Sequence, residues 1–271
     1  MSEIDTTTSW PPEQTAPVAP IPKPKTSRIA IAALVIAIIA LGNSLNSSDS
    51  SADKTTAATI APENVEDADL YEQPVDLEGF IDKISKSVVY INCGSKSGTG
   101  FAYDLNTTKL DPEFNTWVIT NHHVIDECVD GTNVVNVYTG GEKLLPTKSE
   151  LWRWDEENDL ALLQISTPIP TLKSAEYFAE PGWWSMAIGN PGNEVIDITN
   201  ATTFGNIIGV KDKYFNATSA VINHGNSGGP LVNSRGELLG INTLGYVSQS
   251  EGLWNIAVDS DVLCEQIINC D

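Results

Sequence analysis

The stretch "HGNSGGPL", residues 224–231, sets Ser227 among glycines and follows it with a proline. A serine hydroxyl is a poor nucleophile at neutral pH. It needs a general base within hydrogen-bond reach, and the base needs an acceptor that orients it. The chain holds three histidines, His122, His123 and His224. The first two stand in "WVITNHHVID", read as the end of a strand, and Asp159 stands in "ENDLALLQI", at the start of another. Neighbouring strand-end residues point in opposite directions, so only one of His122 and His123 can face Ser227. The candidates run His, Asp, Ser along the chain. Together they could carry acyl transfer, with the histidine taking the serine proton and the aspartate holding the imidazole.

Such side chains need a rigid scaffold. From about Asp76 to Asp271 short apolar runs alternate with Gly, Pro, Asn and Asp: "VVYINC", "GTGFAYD", "TWVITNH", "NVVNVYT", "DLALLQI", "WWSMAIG", "ITNATTFGNIIGV", "TSAVIN", "GPLVN", "ELLGINTLGYV" and "LWNIAV". This punctuation predicts an all-β barrel or sandwich. Helical spacing is confined to "DLEGFIDKISKS" before it and "DSDVLCEQIINC" after it, the latter capped by Asp259 or Ser260.

The first 75 residues read differently. Residues 1–28 are polar and Pro-rich and cannot bury a core. Residues 29–45, "IAIAALVIAIIALGNSL", carry no charge; at about 1.5 Å per residue they reach roughly 25 Å, close to a bilayer core of about 30 Å. Lys23, Lys25 and Arg28 precede this run and Asp49 is the first charge after it. The expectation is an uncleaved signal anchor with a cytoplasmic N-terminus and an exported remainder. Residues 46–75, rich in Ser, Thr, Ala and Asp, read as a flexible tether.

The formal net charge is −21, and the charges through Arg28 cancel, so the excess lies in the later part. That argues against nucleic acid as a partner, because a phosphate backbone requires a basic surface. Asn-x-Ser/Thr sequons stand at Asn46, Asn106, Asn200 and Asn216. Four cysteines on the exported side, Cys93, Cys128, Cys264 and Cys270, suggest two disulfides, with three pairings open. No CxxC pair or histidine cluster accompanies them, so neither a metal site nor a cofactor is expected.

Over residues 77–264 these motifs resemble a trypsin-like serine protease of the high-temperature-requirement (HtrA/Deg) type. The matching stretches are "SGTGFAYD", "WVITNHHVI", "NDLALLQI", "MAIGNPG", "TSAVINHGNSGGPLVNSRGELLGINT" and "GLWNIAV". The resemblance implies two six-stranded antiparallel β-barrels, a short C-terminal helix and a triad of His123, Asp159 and Ser227. It places the base directly before a valine, which selects His123 over His122. Backbone N–H groups of Gly225 and Ser227 would form the oxyanion hole. Asn226 stands where cleavage-activated relatives carry an aspartate, so no trypsin-type zymogen cut is expected.

The resemblance also places Val221 at the base of the specificity pocket, with His224 at its lip and Asn242 and Thr243 on the facing strand. Thr243, Leu244 and Gly245 would pair with the substrate backbone. Small to medium uncharged P1 residues are expected. Cys93–Cys128 is the implied bridge beside the histidine, leaving Cys264–Cys270. The chain ends near the closing helix, so a PDZ domain is expected to be absent, and the assembly reads as monomer or trimer. The implied function is a membrane-anchored endopeptidase acting on proteins or peptides, in extracytoplasmic quality control or regulated proteolysis. The alternative is a catalytically silent peptide-binding protein on the same fold.

Overall fold

The computed structural model describes residues 65–265, apart from 106–108, 132–133, 142, 192–198, 212–214, 249–251 and 264. The proposed anchor at 29–45, Asn46, Asn106, Cys264 and Cys270 lie outside the described residues. Among the described residues no helix is long and apolar enough to cross a membrane.

Among the described residues thirteen strands alternate with few helices. The first sheet takes β1 (Val88–Cys93), β2 (Lys96–Tyr103), β3 (Thr116–Thr120), β4 (Asn136–Thr139), β5 (Leu145–Thr147), β6 (Ser149–Asp155) and β7 (Leu160–Ile165). Its order is β5-β4-β1-β2-β3-β7-β6. The expectation of two closed six-stranded barrels is therefore corrected for this half. Its two end strands, β5 and β6, are consecutive in the chain with only Lys148 between them. The sheet curls into a half-barrel whose ends are joined by a bent strand. The remaining strands are β8 (Trp184–Gly189), β9 (Ala201–Lys211), β10 (Phe215–Thr218), β11 (Pro230–Val232), β12 (Leu238–Ser248) and β13 (Gly252–Asp259). They form a closed barrel in the order β10-β13-β12-β11-β8-β9.

Strand alternation sorts the side chains into three cores. On β7, Ala161, Leu163 and Ile165 join a cluster built from the first sheet, together with Val89, Ile91 and Val118. Leu160 and Leu162 point the other way, into a cluster shared with Trp184, Met186 and Ile188 of β8 and Val232, Ile241 and Val258 of the second barrel. The third cluster belongs to the second barrel: Ala187, Ile207, Leu231, Leu239 and Ala257. The shared cluster fixes how the two sheets meet.

Short helices frame the sheets among the described residues. In α1 (Leu77–Ser85) the Asp76 side chain accepts from Gly79 N, and Ile84 enters the shared core. A one-turn α2 (His122–Ile125) follows β3 directly. In α3 (Ser260–Val262) Asp259 is the cap, accepting from Asp261 N at 2.9 Å. Within the stretch read as a tether, Val65–Tyr71 forms a 3₁₀ helix. Its Leu70 is buried in the second barrel's cluster, and Arg235 donates to Asp69 at 2.6 and 2.7 Å. Asn216, one of the sequons, is fully buried and donates to Leu239 O and Asp259 Oδ2, so glycan transfer to the folded chain is blocked there.

Cys93 and Cys128 are joined across a separation of 35 residues. Closing a loop of that size restricts the unfolded chain and contributes about 3–4 kcal/mol. The double variant Cys93→Ser/Cys128→Ser is expected to lose that much in urea unfolding, and an unchanged midpoint would contradict it. Burial pushes the Asp259 carboxyl above the usual carboxylate range. A raised folded value means that stability is lost as pH rises through it. The advantage of wild type over Asp259→Asn should therefore shrink as pH rises from the ordinary carboxylate range, measured by denaturation at each pH.

Candidate active site

β3 is buried along its whole length and delivers Asn121, which starts the α2 turn in extended conformation. The two histidines thus open a helix instead of ending a strand. Successive residues there diverge by about 100°, and this rotation, not strand alternation, separates them. His123 is turned toward Asp159. Its Nδ1 lies 3.0 and 2.8 Å from the two carboxylate oxygens, and its backbone N–H donates to Oδ1 at 2.9 Å. A carboxylate only accepts, so Nδ1 carries a proton, which in the neutral ring leaves the lone pair on Nε2.

Asp159 is held from three sides. Its backbone has φ +55°, a left-handed conformation that Asp and Asn tolerate better than most side chains. Its carbonyl accepts from Asn121 Nδ2 at 2.9 Å. Thr243 Oγ1, from the second barrel, donates to its Oδ2 at 3.1 Å. Thr243 therefore braces the aspartate as well as sitting on the strand expected to face a substrate.

The nucleophile candidate sits on a turn of unusual backbone. Gly225 and Gly228 have φ +91° and +83°. A Cβ on Gly225 would come within 2.5 Å of Pro191 Cα, and one on Gly228 within 2.1 Å of Thr99 O. Glycine is required at both places. Ser227 is 2% exposed, and its Oγ has no hydrogen-bond partner among the described residues. Gly98 separates it from α2: a Cβ there would meet Val124 at 2.7 Å and Ser227 O at 3.0 Å. The structure thus pairs His123 with Asp159 and brings Ser227 close to their helix, without a bond from Ser227 Oγ to the ring. Such bonds are often long before substrate arrives.

The remaining expected residues separate into two groups. Val221 is 49% exposed and His224 is exposed, beside the Ser227 turn. Asn242 is fully buried instead of lining a pocket. Its backbone exchanges hydrogen bonds with Gly228 and Gly229 at 2.8 Å each, and its Nδ2 donates to Pro230 O at 3.1 Å. It supports the turn from beneath, because the β12 pleat sends its side chain inward. Leu244 and Gly245 fall where β12 slips register against β13, between Thr243 and Tyr246.

Three residues that motif reading did not single out also hold the site. Thr99, in β2, reaches the Ser227 turn; Asn190 follows β8; Asn255 Oδ1 accepts from Ile222 N at 3.0 Å and steadies the run leading to Gly225. Their only sequence signal was position, inside "SGTGF", "AIGNPG" and "GLWNIAV". No group of His, Cys, Asp and Glu able to hold a metal occurs among the described residues.

Residues 98–241 match the family model described as a trypsin-like peptidase domain. The serine endoprotease DegS of Escherichia coli (strain K12) is 37% identical over 143 residues, covering 50% of this chain and 39% of DegS. The periplasmic serine endoprotease DegP of the same strain is 37% identical over 134 residues, covering 47% of this chain and 27% of DegP. The chain thus spans well under half the length of these relatives. The crystal structure of the serine endoprotease from Yersinia pestis superposes with a TM-score of 0.58 at 26% identity, covering 73% of this chain and 68% of that one. The matched segment runs from the Thr99 strand through the His123–Asp159 pair and the Ser227 turn to β12, and this chain belongs to the trypsin-like peptidase domain family, with relatives of the HtrA/Deg type.

Proposed function

We propose that this chain is a serine endopeptidase that cleaves protein or peptide substrates through an acyl-enzyme on Ser227. The observation that carries the reading is the His123–Asp159 pair, oriented by Thr243 and set beside a serine between two glycines of positive φ. His123 Nε2 takes the proton as Ser227 Oγ attacks the peptide carbonyl. The same proton then passes to the leaving amine, and water attacks the ester with His123 again as base. Asp159 stabilises the imidazolium formed in each half-reaction. The oxyanion faces the N–H groups of Gly225 and Ser227.

Val221 and His224 border the P1 side chain, and the backbone at Thr243, Leu244 and Gly245 pairs with the substrate by strand addition. An uncharged valine at the pocket base favours small to medium uncharged P1 residues. Residues 29–45 anchor the chain, with the peptidase domain on the extracytoplasmic side; the charge order across that segment and the periplasmic location of its relative DegP support this. Its role there is protein quality control or regulated proteolysis, as a monomer or a trimer.

The unpaired Ser227 hydroxyl favours a second reading, a silent peptide binder. A fluorophosphonate probe separates the two: the proposal expects labelling of wild type at Ser227 and none of Ser227→Ala, whereas an unlabelled, folded wild type supports the binder. Asp159→Asn should keep the fold, since Asn also tolerates positive φ, yet lose about 10⁴ in kcat by presenting the wrong tautomer. Asp159→Ala should in addition lose stability by about 1 kcal/mol or more in urea unfolding. Equal stability of the two variants would show that the backbone there is unstrained.

A further inference from the structure

Asn226 lies between the two proposed oxyanion donors, at 1% exposure, and its Oδ1 has no partner among the described residues. An uncharged side chain whose buried oxygen is unpaired gives the turn no ionic anchor. The hold comes from the opposite sheet. Thr99, fully buried on β2, donates its Oγ1 proton to Gly225 O at 2.6 Å and accepts from Asn190 N at 2.8 Å. A carbonyl only accepts and an amide only donates, so the direction of both bonds is fixed and the hydroxyl rotor has one setting. The Thr99 backbone N–H donates to Ser227 O at 2.9 Å. The two residues whose amides face the oxyanion are thus each gripped through their carbonyls by one residue.

The peptide unit between Gly225 and Asn226 is pinned at both ends. Its carbonyl is on Thr99, and its N–H donates to Asn223 O at 3.0 Å. A planar unit tied at both ends cannot rotate without breaking a buried bond, and it is hinged at the Gly225 Cα, packed against Pro191 and Asn190, to the preceding unit that carries the Gly225 N–H. The Thr99 methyl completes the fit, since a Cβ on Gly229 would lie 3.1 Å from it.

We infer that Thr99 is a positioning residue, whose hydroxyl holds Gly225 so that its N–H stays aimed at the oxyanion. It gives the turn from within the fold the support that cleavage-activated relatives obtain from a charged partner of the residue before the serine. The inference rests on Ser227 acting as the nucleophile.

The test compares Thr99→Val, which keeps the shape and removes the hydroxyl, with Thr99→Ser, which keeps the hydroxyl. Each is measured for kcat and KM on a peptide substrate. Each is also measured for binding of a peptide boronic acid and of the same peptide without the boron. Misaiming one donor is expected to lower kcat about 10- to 100-fold in Thr99→Val. Boronate affinity should fall in parallel, with KM and plain-peptide affinity within about threefold, and Thr99→Ser should recover most of the loss. Three results overturn the inference: kcat retained in Thr99→Val; plain peptide and boronate weakened alike; or near-UV circular dichroism lost in Thr99→Val while Thr99→Ser stays folded, which makes the hydroxyl a folding element. A wild type that neither turns over substrate nor binds the boronate above the plain peptide contradicts the peptidase reading itself.

Discussion

The site depends on hydrogen bonds that cross the seam between the two sheets. The first sheet supplies His123 and Asp159, but the bond to Asp159 Oδ2 comes from Thr243 in the second barrel. The second barrel supplies the Ser227 turn, but its carbonyls are held by Thr99 of the first sheet. Neither half completes its own part of the site. Both crossings involve side chains wholly or partly out of water, where an unpaired polar group costs about 1–3 kcal/mol. The seam therefore has a strong preference for one register.

Below these polar crossings the shared apolar cluster does the coarse alignment. Leu160 and Leu162, immediately after Asp159, face Trp184, Met186 and Ile188. Asn190, two residues past Ile188, donates its amide N–H to Thr99 and its Nδ2 to Val89 O. The strands that pack the two sheets together are the strands that end in the site. Packing density at the seam and the aim of the reactive groups are consequently one constraint, and a volume change at Leu162 or Ile188 would reach the site through the backbone.

Much of this was legible in the residues because short apolar runs bounded by turn residues carry it. β1, β7 and β8 coincide with apolar runs, and the order of His, Asp and Ser needed only the chemistry of each group. Other parts were not legible, for physical reasons. β6 alternates only weakly and leaves Trp152 and Trp154 exposed, so its pattern does not announce a strand. The run Thr218–Asn223 looks like a strand, yet only Thr218 belongs to β10. The following residues leave the sheet to lead into Gly225. Asn242 was placed beside the pocket by its position on the facing strand; inside the barrel its amide answers buried carbonyls. Thr99 gave no signal because a threonine in a strand is ordinary, and its role exists only once a second sheet lies against it.

The Ser227 turn is held from the opposite sheet through Thr99. A crystal structure of the chain with a peptide boronic acid tests this most directly. The expected complex has boron bonded to Ser227 Oγ and one boronate oxygen about 2.7–3.1 Å from the N–H groups of both Gly225 and Ser227. In it His123 stays on Asp159 and Gly225 O stays on Thr99 Oγ1. A Gly225 carbonyl released from Thr99 in that complex, or an adduct on any residue other than Ser227, would contradict it.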